Sequence, residues 1–213
     1  MSEKSDLLAK DFLEKETQFH LGFLPTEQSS PLTAQLDGEF ARSTLDGVAN
    51  LQRVDHNVLE MARKVFAGEP YRKLVESGES TLRRGGRIVF SGCGATGRLS
   101  ILLESMFREC CRNDARLAAY SNQVSSIMTG GDYALVRSVE FFEDYQSFGR
   151  RQVRDLGMTA NDMLVAITEG GETSSVLGTV FEALAIGAGV FLMFNNKFAK
   201  CEQSIKNESN LVR

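Results

Sequence analysis

Two short glycine-rich segments constrain the fold of this chain more than any other feature of its sequence. The first, Ser91-Gly-Cys-Gly-Ala-Thr-Gly97, follows an apolar run at residues 88–90 and precedes a helical pattern. The second, Thr168-Glu-Gly-Gly-Glu-Thr173, stands between the apolar run 163–167 and another helical pattern. Because a strand, a glycine turn and a helix occur twice in that order, we predict a three-layer α/β/α fold with a parallel sheet.

The spacing of apolar residues predicts the other elements. Before residue 87 the apolar positions recur at helical intervals, as at Val48, Leu51 and Val54, which indicates a helical lead-in with a break at Gly68-Glu-Pro70. After residue 87 we expect extended segments at residues 88–90, 117–121, 124–128, 163–167 and 190–194, and helices at residues 98–111, 133–155 (with a break near Phe141) and 174–186.

Composition and charge exclude several function classes. The chain has 213 residues and a net charge of −4, which gives no basic surface for nucleic acid or for an anionic membrane. No apolar stretch approaches the ~18 residues that span a bilayer, and the first residues lack the apolar run of a signal peptide. The four cysteines have no C-x-x-C spacing, which favours reduced thiols in a cytoplasmic protein. We predict no metal centre and no other cofactor.

The two loops have the composition of an anion-binding site. A helix that begins directly after a strand directs unpaired N–H groups and the positive end of its dipole toward the carboxyl edge of the sheet. Glycines let a ligand approach the backbone, and the hydroxyls of Thr96, Thr168 and Thr173 can donate hydrogen bonds. Both loops would lie at the same edge of a parallel sheet, so we expect them to hold a phosphate group together.

The residues alone leave two other interpretations of the glycines open. Gly92, Gly94 and Gly97 spell G-x-G-x-x-G, the fingerprint of dinucleotide-binding domains. That fold places an acidic residue at the end of the following strand, where this sequence has Ala-Tyr-Ser-Asn at residues 119–122. The glycines could also form simple tight turns that hold no ligand.

Several motifs, taken in order, resemble the sugar-isomerase (SIS) domain family. The first loop with Arg98-Leu99 is similar to the first ligand loop of two branches, N-acetylmuramic acid 6-phosphate etherase and glucokinase regulatory protein. The second loop resembles the family motif S-x-S-G-E-T. Thr26-Glu-Gln-Ser-Ser-Pro31 resembles the etherase lead-in T-E-x-x-N-P, Val139-Glu-Phe-Phe-Glu-Asp144 resembles V-E-G-A-E-D, and residues 156–162 resemble L-G-L-T-x-x-D. The likeness extends from about residue 26 to residue 195.

The resemblance implies a fold, a division of the chain and a set of binding residues. It implies a flavodoxin-like SIS domain at residues 67–213, truncated at its C-terminal end, and an N-terminal helical extension at residues 1–66. It also implies a homodimer, a sugar-phosphate ligand and a regulated protein partner. The residues expected to bind the sugar phosphate are Ser91, Gly92, Gly94, Thr96, Gly97, Arg98, Thr168, Glu169, Gly170, Gly171 and Thr173.

The etherase branch uses two glutamates as acid and base, and this sequence retains one of them. Glu143 matches the base of the V-E-G-A-E-D motif. The acid position, eight residues after Arg98, is Met106, which can neither donate nor accept a proton and which we interpret as a core residue. We therefore expect a domain that recognises a hexose or amino-hexose 6-phosphate in a sensing or regulatory role.

Two departures from the family motif fall in the second loop. Gly170 stands where the motif has its second serine, which removes one hydroxyl, and Glu172 stands where the etherases have arginine and other family members have glutamate. An etherase-like lyase or a sugar-phosphate isomerase, with Glu143 or Glu169 as base, is the alternative function.

Overall fold

The computed structural model of the chain describes residues 3–139 and 141–197. Its helices and strands, in chain order, are α1 (Glu3–Lys15), α2 (Leu36–Arg42), α3 (Thr44–Phe66), α4 (Glu69–Arg83), β1 (Ile88–Gly92), α5 (Gly94–Asn113), β2 (Val124–Met128), α6 (Tyr133–Val136), α7 (Gln146–Asp155), β3 (Met163–Ile167), α8 (Ser174–Ala185) and β4 (Gly189–Met193). Short 3₁₀ turns lie at Thr17–Phe19, Pro25–Glu27, Ala118–Tyr120 and Phe142–Asp144. Within the described residues, no helix combines the length and apolarity needed to cross a membrane.

The described strands form one parallel sheet in the order β2-β1-β3-β4. Helices pack on both faces, which confirms the predicted three layers. On one face Val153 of α7 and Val176 of α8 belong to a buried apolar cluster, and on the other Leu74 of α4 and Leu103 of α5 pack against Val165 of β3. Burial of both faces explains why the strands of this sheet are short apolar runs rather than alternating patterns.

An ion pair between Arg87 and Asp162 joins the amino ends of β1 and β3. Asp162 is 3% exposed and accepts hydrogen bonds from the N–H of Arg87 at 2.8 Å, from its guanidinium at 2.9 Å and from the N–H of Thr159 at 2.9 Å. Burial favours the neutral form of this carboxyl, but the hydrogen bonds from Arg87 and Thr159 together hold the pKa of Asp162 below its ordinary value. The two central strands are therefore fixed relative to each other.

The lead-in helices leave a large apolar surface uncovered in the described residues. Leu45, Val58 and Phe66 of α3 are 75%, 63% and 61% exposed. The predicted boundary between the helical extension and the SIS domain, after residue 66, falls at the end of α3.

The predicted strand at residues 117–121 is wrong. This segment forms the 3₁₀ turn Ala118–Tyr120. The N–H of Leu117 donates to the carbonyl oxygen of Asp114 at 2.9 Å, and the N–H of Tyr120 donates to that of Leu117 at 2.9 Å. These local bonds use backbone groups that a strand would give to its neighbours, and the strand instead begins at Val124.

The helices next to the sheet also differ from their predicted bounds. α5 begins at Gly94 rather than at residue 98, so most of the first loop is the first turn of the helix. The helical stretch predicted at residues 133–155, with a break near Phe141, forms the two helices α6 and α7. The break is wider than predicted and contains Phe141, whose φ of 70° lies in the left-handed region that interrupts a helix.

Candidate functional site

The structure brings the two predicted glycine loops together at the carboxyl edge of the sheet. The first loop leaves the sheet at Gly92 of β1 and the second at Ile167 of β3, and these two residues are register partners. From β1 the chain moves outward to β2 and then returns across the sheet to β3, so the topological switch point lies between the loops. Open α/β sheets bind ligands in the crevice at this point.

Thr96 fixes the first loop as the first turn of α5. Its hydroxyl donates to the carbonyl oxygen of Cys93 at 2.8 Å and accepts from the N–H of Cys93 at 3.1 Å. The backbone folds tightly here, because a side chain at Gly92 would overlap the backbone of Thr96 and Gly94 has a φ of 53°. The Thr96 hydroxyl is thus used within the loop, and the loop presents mainly backbone to a ligand.

Ser91, the first residue of the predicted binding set, faces the core. Its side chain is 1% exposed and lies 3.0 Å from the hydroxyl of Thr179 on α8. Because the Thr179 hydroxyl donates to the carbonyl oxygen of Val176, the Ser91 hydroxyl is the donor in this pair. The Ser91 side chain therefore connects β1 to α8.

Thr129 couples the first loop to the helix that follows the second loop. Its N–H donates to the carbonyl oxygen of Gly92 at 3.0 Å, and its hydroxyl lies 2.9 Å from that of Ser175 in the first turn of α8. Sequence reasoning missed both hydroxyl residues. A signal for Thr129 was present, since it stands between the end of β2 and Gly130-Gly131, at the same edge as the two loops.

The second loop combines a hydroxyl pair with unpaired backbone donors. The hydroxyls of Thr168 and Thr173 lie 3.0 Å apart, and such a pair keeps one proton that can be donated elsewhere. Gly171 has a φ of 91°, a conformation that favours glycine. Among residues 3–139 and 141–197, nothing accepts a hydrogen bond from the N–H of Gly171 or of Thr173. These donors lie at the N-terminus of α8, where the helix dipole adds positive potential.

Asn196 attaches the second loop to the N-terminal segment. Its Nδ2 donates to the carbonyl oxygen of Gly170 at 2.8 Å and to Oγ1 of Thr26 at 2.9 Å, while its Oδ1 accepts from the N–H of Thr26 at 3.3 Å. The N–H of Asn195 donates to the carbonyl oxygen of Glu169 at 2.8 Å. The lead-in motif thus contacts the loop through Asn196, which sequence reasoning also missed.

Glu143 lies beside the first loop, although 50 residues separate it from Cys93. The thiol of Cys93 donates to Oε2 of Glu143 across 3.6 Å, and the carboxylate is exposed on the 3₁₀ turn Phe142–Asp144. Burial raises the pKa of the Cys93 thiol, and the negative charge of Glu143 adds to the rise. Cys93 is therefore a protonated neighbour of Glu143 at neutral pH rather than a nucleophile.

The second loop also carries a partly buried acid. The carboxyl group of Glu172 folds back over Gly170, and its Oε2 is buried without a hydrogen-bond partner among the described residues. Burial raises the pKa of Glu172, and the negative charges of Glu27 and Glu169 raise it further. An anion that binds here meets a carboxyl group as well as N–H donors.

A cavity of about 650 Å³ opens beside the two loops. It is lined by Thr96, Thr168 and Glu169 of the predicted set, and Tyr71 and Leu74 of α4 form part of its apolar wall. Small-molecule sites usually enclose roughly 300–1,000 Å³, but neither Gly171 nor Thr173 lines this cavity, so it borders the second loop without containing the unpaired N–H donors of that loop.

Two residues of interest on α5 face solvent. Arg98 is exposed and forms no ion pair with a carboxylate of the described residues. Met106 is 52% exposed, so its interpretation as a core residue is wrong. The reason is helical geometry, because position 106 lies about 180° around the helix axis from the buried Gly97.

Glu104, which precedes Met106 by two positions, has a structural role. Its Oε1 accepts from Arg108 at 2.9 Å and its Oε2 accepts from the hydroxyl of Ser126 on β2 at 2.6 Å. Glu104 therefore connects α5 to the edge strand β2.

The geometry also bears on the dinucleotide and metal alternatives. β2, the strand that follows the first loop, ends at Met128 and continues with the uncharged residues Thr129, Gly130 and Gly131. The first acid after β2 is Asp132, which follows these residues and lies beyond the strand end at which the dinucleotide fold places its ribose-binding acid. No cluster of potential metal ligands exists among the described residues.

Comparison with known families gives a match over the part of the chain that bears the loops. Residues 71–184 match the family described as the glucokinase regulatory protein N-terminal SIS domain. This chain belongs to that family. The matched span contains both glycine loops and Glu143, and the SIS family predicted from the motifs is thereby confirmed.

Curated relatives of this SIS domain include N-acetylmuramic acid 6-phosphate etherases. Etherase 1 of Bacillus licheniformis is 28% identical over 193 residues, which are 91% of this chain and 60% of the relative. The etherase of Yersinia pestis is 32% identical over 167 residues, which are 78% of this chain and 53% of the relative. The chain thus spans between about half and three fifths of the length of these relatives.

A solved structure with a similar fold is a phosphoheptose isomerase from Neisseria gonorrhoeae. The two chains superpose with a TM-score of 0.56 at 16% identity, over 79% of this chain and 96% of the isomerase. At this identity the likeness concerns the fold, and it confirms the SIS-type α/β architecture. This SIS domain is therefore similar in sequence to the etherases and similar in fold to a phosphoheptose isomerase.

Proposed function

We propose that this SIS domain binds a hexose or amino-hexose 6-phosphate between its two glycine loops and serves a sensing or regulatory role. The N–H groups of Gly171 and Thr173 carry the proposal, because both are unpaired within the described residues and lie at the N-terminus of α8. The remaining hydroxyl proton of the Thr168–Thr173 pair adds a third donor. Unpaired N–H donors at a helix N-terminus suit a phosphate group, and the names of the relatives favour a sugar phosphate.

The residues of α5 support binding without turnover. The position that corresponds to the etherase acid holds the exposed Met106, and the neighbouring acid Glu104 is already engaged with Arg108 and Ser126. General acid catalysis typically contributes about 10²–10⁴-fold, so its loss would severely slow an elimination. The matched family takes its name from a regulatory protein, which also favours a regulatory role.

A thermal-shift titration tests the binding proposal. The panel consists of N-acetylmuramic acid 6-phosphate, N-acetylglucosamine 6-phosphate, fructose 6-phosphate, glucosamine 6-phosphate and NAD. A ligand at a hundred times its Kd stabilises the folded state by about 2.7 kcal/mol, which raises Tm by roughly 5–10 °C for a chain of this size. We expect such a rise with at least one hexose 6-phosphate and a smaller rise in Thr173→Ala, which removes the hydroxyl of the Thr168–Thr173 pair but keeps the two N–H groups. A rise with NAD alone would contradict the proposal.

One observation favours an enzymatic alternative, either an etherase-like lyase or a sugar-phosphate isomerase. Glu143 lies 3.6 Å from Cys93 in the first loop, where a carboxylate could remove a proton next to the carbonyl of a bound sugar. Lactate release from N-acetylmuramic acid 6-phosphate and the conversion of fructose 6-phosphate measure the two reactions. Turnover that Glu143→Gln abolishes while binding persists would establish the enzyme. Binding without turnover in the unmodified chain would favour the regulatory role.

We also propose that the protein forms a homodimer. The exposed apolar side chains of α3, among them Leu45, Val58 and Phe66, support self-association because they would be costly to leave in water. Light scattering should give twice the mass of one chain, and Val58→Glu should shift the mass toward that of a monomer.

A further inference from the structure

The side chain of Glu172 occupies the space that belongs to position 170. A Cβ built on Gly170 would overlap the carboxyl group of Glu172. The SIS motif S-x-S-G-E-T has serine at position 170 and glutamate at position 172, so this chain keeps the glutamate and has lost the serine. Because glycine leaves that space empty, the Glu172 carboxyl group can take the place of the missing serine side chain.

In the part of the chain that the structure describes, no cation compensates this carboxyl group, which lies over Gly170. Its Oε2 is buried and has no hydrogen-bond partner in the described ranges 3–139 and 141–197. The charged side chains that act on it are carboxylates: Glu169 from the same loop and Glu27 from the 3₁₀ turn Pro25–Glu27. The negative form of Glu172 is therefore disfavoured by its surroundings before any ligand is present.

We propose that Glu172 is a specificity-determining residue of the second loop, and that a phosphate group binds there only when Glu172 is protonated. A neutral carboxyl group donates a hydrogen bond to a phosphate oxygen and so replaces the missing serine hydroxyl, whereas an ionised carboxylate repels the phosphate. Burial and the charges of Glu27 and Glu169 raise the pKa of Glu172, which brings this proton closer to the neutral range. This inference rests on the proposed binding of a sugar phosphate.

The proposal fixes the direction of the pH dependence. Because the complex holds one proton more than the free protein above the pKa of Glu172, the Kd of the sugar phosphate should increase with pH by up to about tenfold per pH unit. The ligand's own second ionisation, with a pKa of about 6, also changes with pH. The ratio of the Kd of the unmodified chain to that of Glu172→Gln removes this contribution, because both proteins meet the same ligand.

Calorimetric titrations with N-acetylglucosamine 6-phosphate between pH 5.5 and 8.5 test the proposal. We divide the Kd of the unmodified chain by the Kd of Glu172→Gln at each pH. We expect this ratio to increase by tenfold or more from pH 5.5 to pH 8.5. Gly170→Ser, whose new side chain displaces the Glu172 carboxyl group, should lose the same pH dependence. The matched control Glu109→Gln changes an exposed glutamate near the opposite end of α5 and should behave like the unmodified chain.

Each outcome decides the proposal. A Kd ratio that stays constant with pH, while the unmodified chain binds the sugar phosphate, would overturn the role of Glu172 and leave the proposed function intact. If the unmodified chain binds none of the sugar phosphates at any pH, the proposed function fails and this inference fails with it. The Kd of the unmodified chain can also be divided by the Kd of Gly170→Ser at each pH. If this ratio stays constant while the ratio to Glu172→Gln rises with pH, the Glu172 carboxyl group does not act from the space above Gly170.

Discussion

Thr26 and Asn196, which are 170 residues apart in the sequence, are joined by two hydrogen bonds beside the second glycine loop. Asn196 at the same time donates to the carbonyl oxygen of Gly170 within that loop. The segment before α2 is therefore part of the support of the candidate site. The lead-in motif at residues 26–31 therefore has a structural role at the site, although it lies far from the strands in the sequence.

Replacement of Asn196 by alanine should destabilise the protein. The change removes three hydrogen bonds, each worth about 1 kcal/mol, so the free energy of unfolding should fall by about 2–3 kcal/mol in urea titrations. Asn195→Ala is the matched control, because the hydrogen bond of Asn195 to Glu169 comes from the backbone and survives the change. Equal losses in the two variants would contradict the role assigned to Asn196.

Replacement of Gly149 by alanine should disturb the contact between α7 and α8. A side chain at Gly149 would overlap the carbonyl oxygen of Ser175, so the variant should lose about 1–3 kcal/mol of unfolding free energy. Gly38→Ala in α2 is the control, since no atom lies within 4 Å of the added methyl group there. Alanine is the better helix former, and Gly38→Ala should gain about 0.5–1 kcal/mol. Effects of the same sign at both positions would refute this packing.

The stability of the protein should decrease in acid because of Asp162. Its pKa is held below the ordinary aspartate value, so its contribution is complete above that value of about 3.9 and is lost as the pH falls through the lower folded-state pKa. At neutral pH, Asp162→Asn should cost about 3 kcal/mol, because it removes the only carboxylate paired with the Arg87 guanidinium among the described residues and leaves it the carbonyl oxygens of Leu156 and Gly157. Urea titrations between pH 2 and pH 7 should show less pH dependence in this variant.

The matched control for Asp162 is Asp155→Asn. Asp155 pairs with Arg151 on the surface, where both side chains are exposed, and such pairs contribute roughly 0–1 kcal/mol. A pH profile of Asp162→Asn that parallels the profiles of Asp155→Asn and the unmodified chain would show that the Arg87–Asp162 pair does not control acid stability.

At position 141, glycine should give a more stable protein than alanine, whereas at most positions alanine is the more stabilising of the two. The φ of 70° at Phe141 is the only positive value at a non-glycine residue within the described ranges, and the etherase motif has glycine there. Phe141→Gly should be more stable than Phe141→Ala by about 1 kcal/mol, because alanine keeps the strain of the left-handed conformation. Thermal unfolding of the two variants measures the difference, and a more stable alanine variant would exclude this strain.

The central strands and the glycine loops are predictable from the sequence because their signals are local. The bounds of β3, Met163–Ile167, coincide with an apolar run whose five residues are all buried. The glycines of the second loop stand directly between this run and the next helical pattern. Once the sheet is parallel, the meeting of the two loops follows from the common direction of the strands.

Most of the remaining features depend on hydrogen bonds and contacts that the pattern of apolar residues does not contain. Residues 117–121 have the apolar and aromatic content of a strand but form a turn, since hydrogen bonds that start at Asp114 take up their backbone groups. The position of Asn196 between Thr26 and Gly170, and that of Glu172 over Gly170, require the chain to be folded first. Exposure of Met106 could have been anticipated from its angle to Gly97 on the same helix.

The measurement that tests the proposed site most directly is an NMR titration of the ¹⁵N-labelled chain with N-acetylglucosamine 6-phosphate. We predict saturable downfield shifts of the amide protons of Gly171 and Thr173, because phosphate oxygens would accept hydrogen bonds that no described residue accepts now. The amide of Arg87, at the opposite edge of the sheet and already bonded to Asp162, should not move. Unchanged Gly171 and Thr173 resonances in the presence of bound ligand would contradict the site.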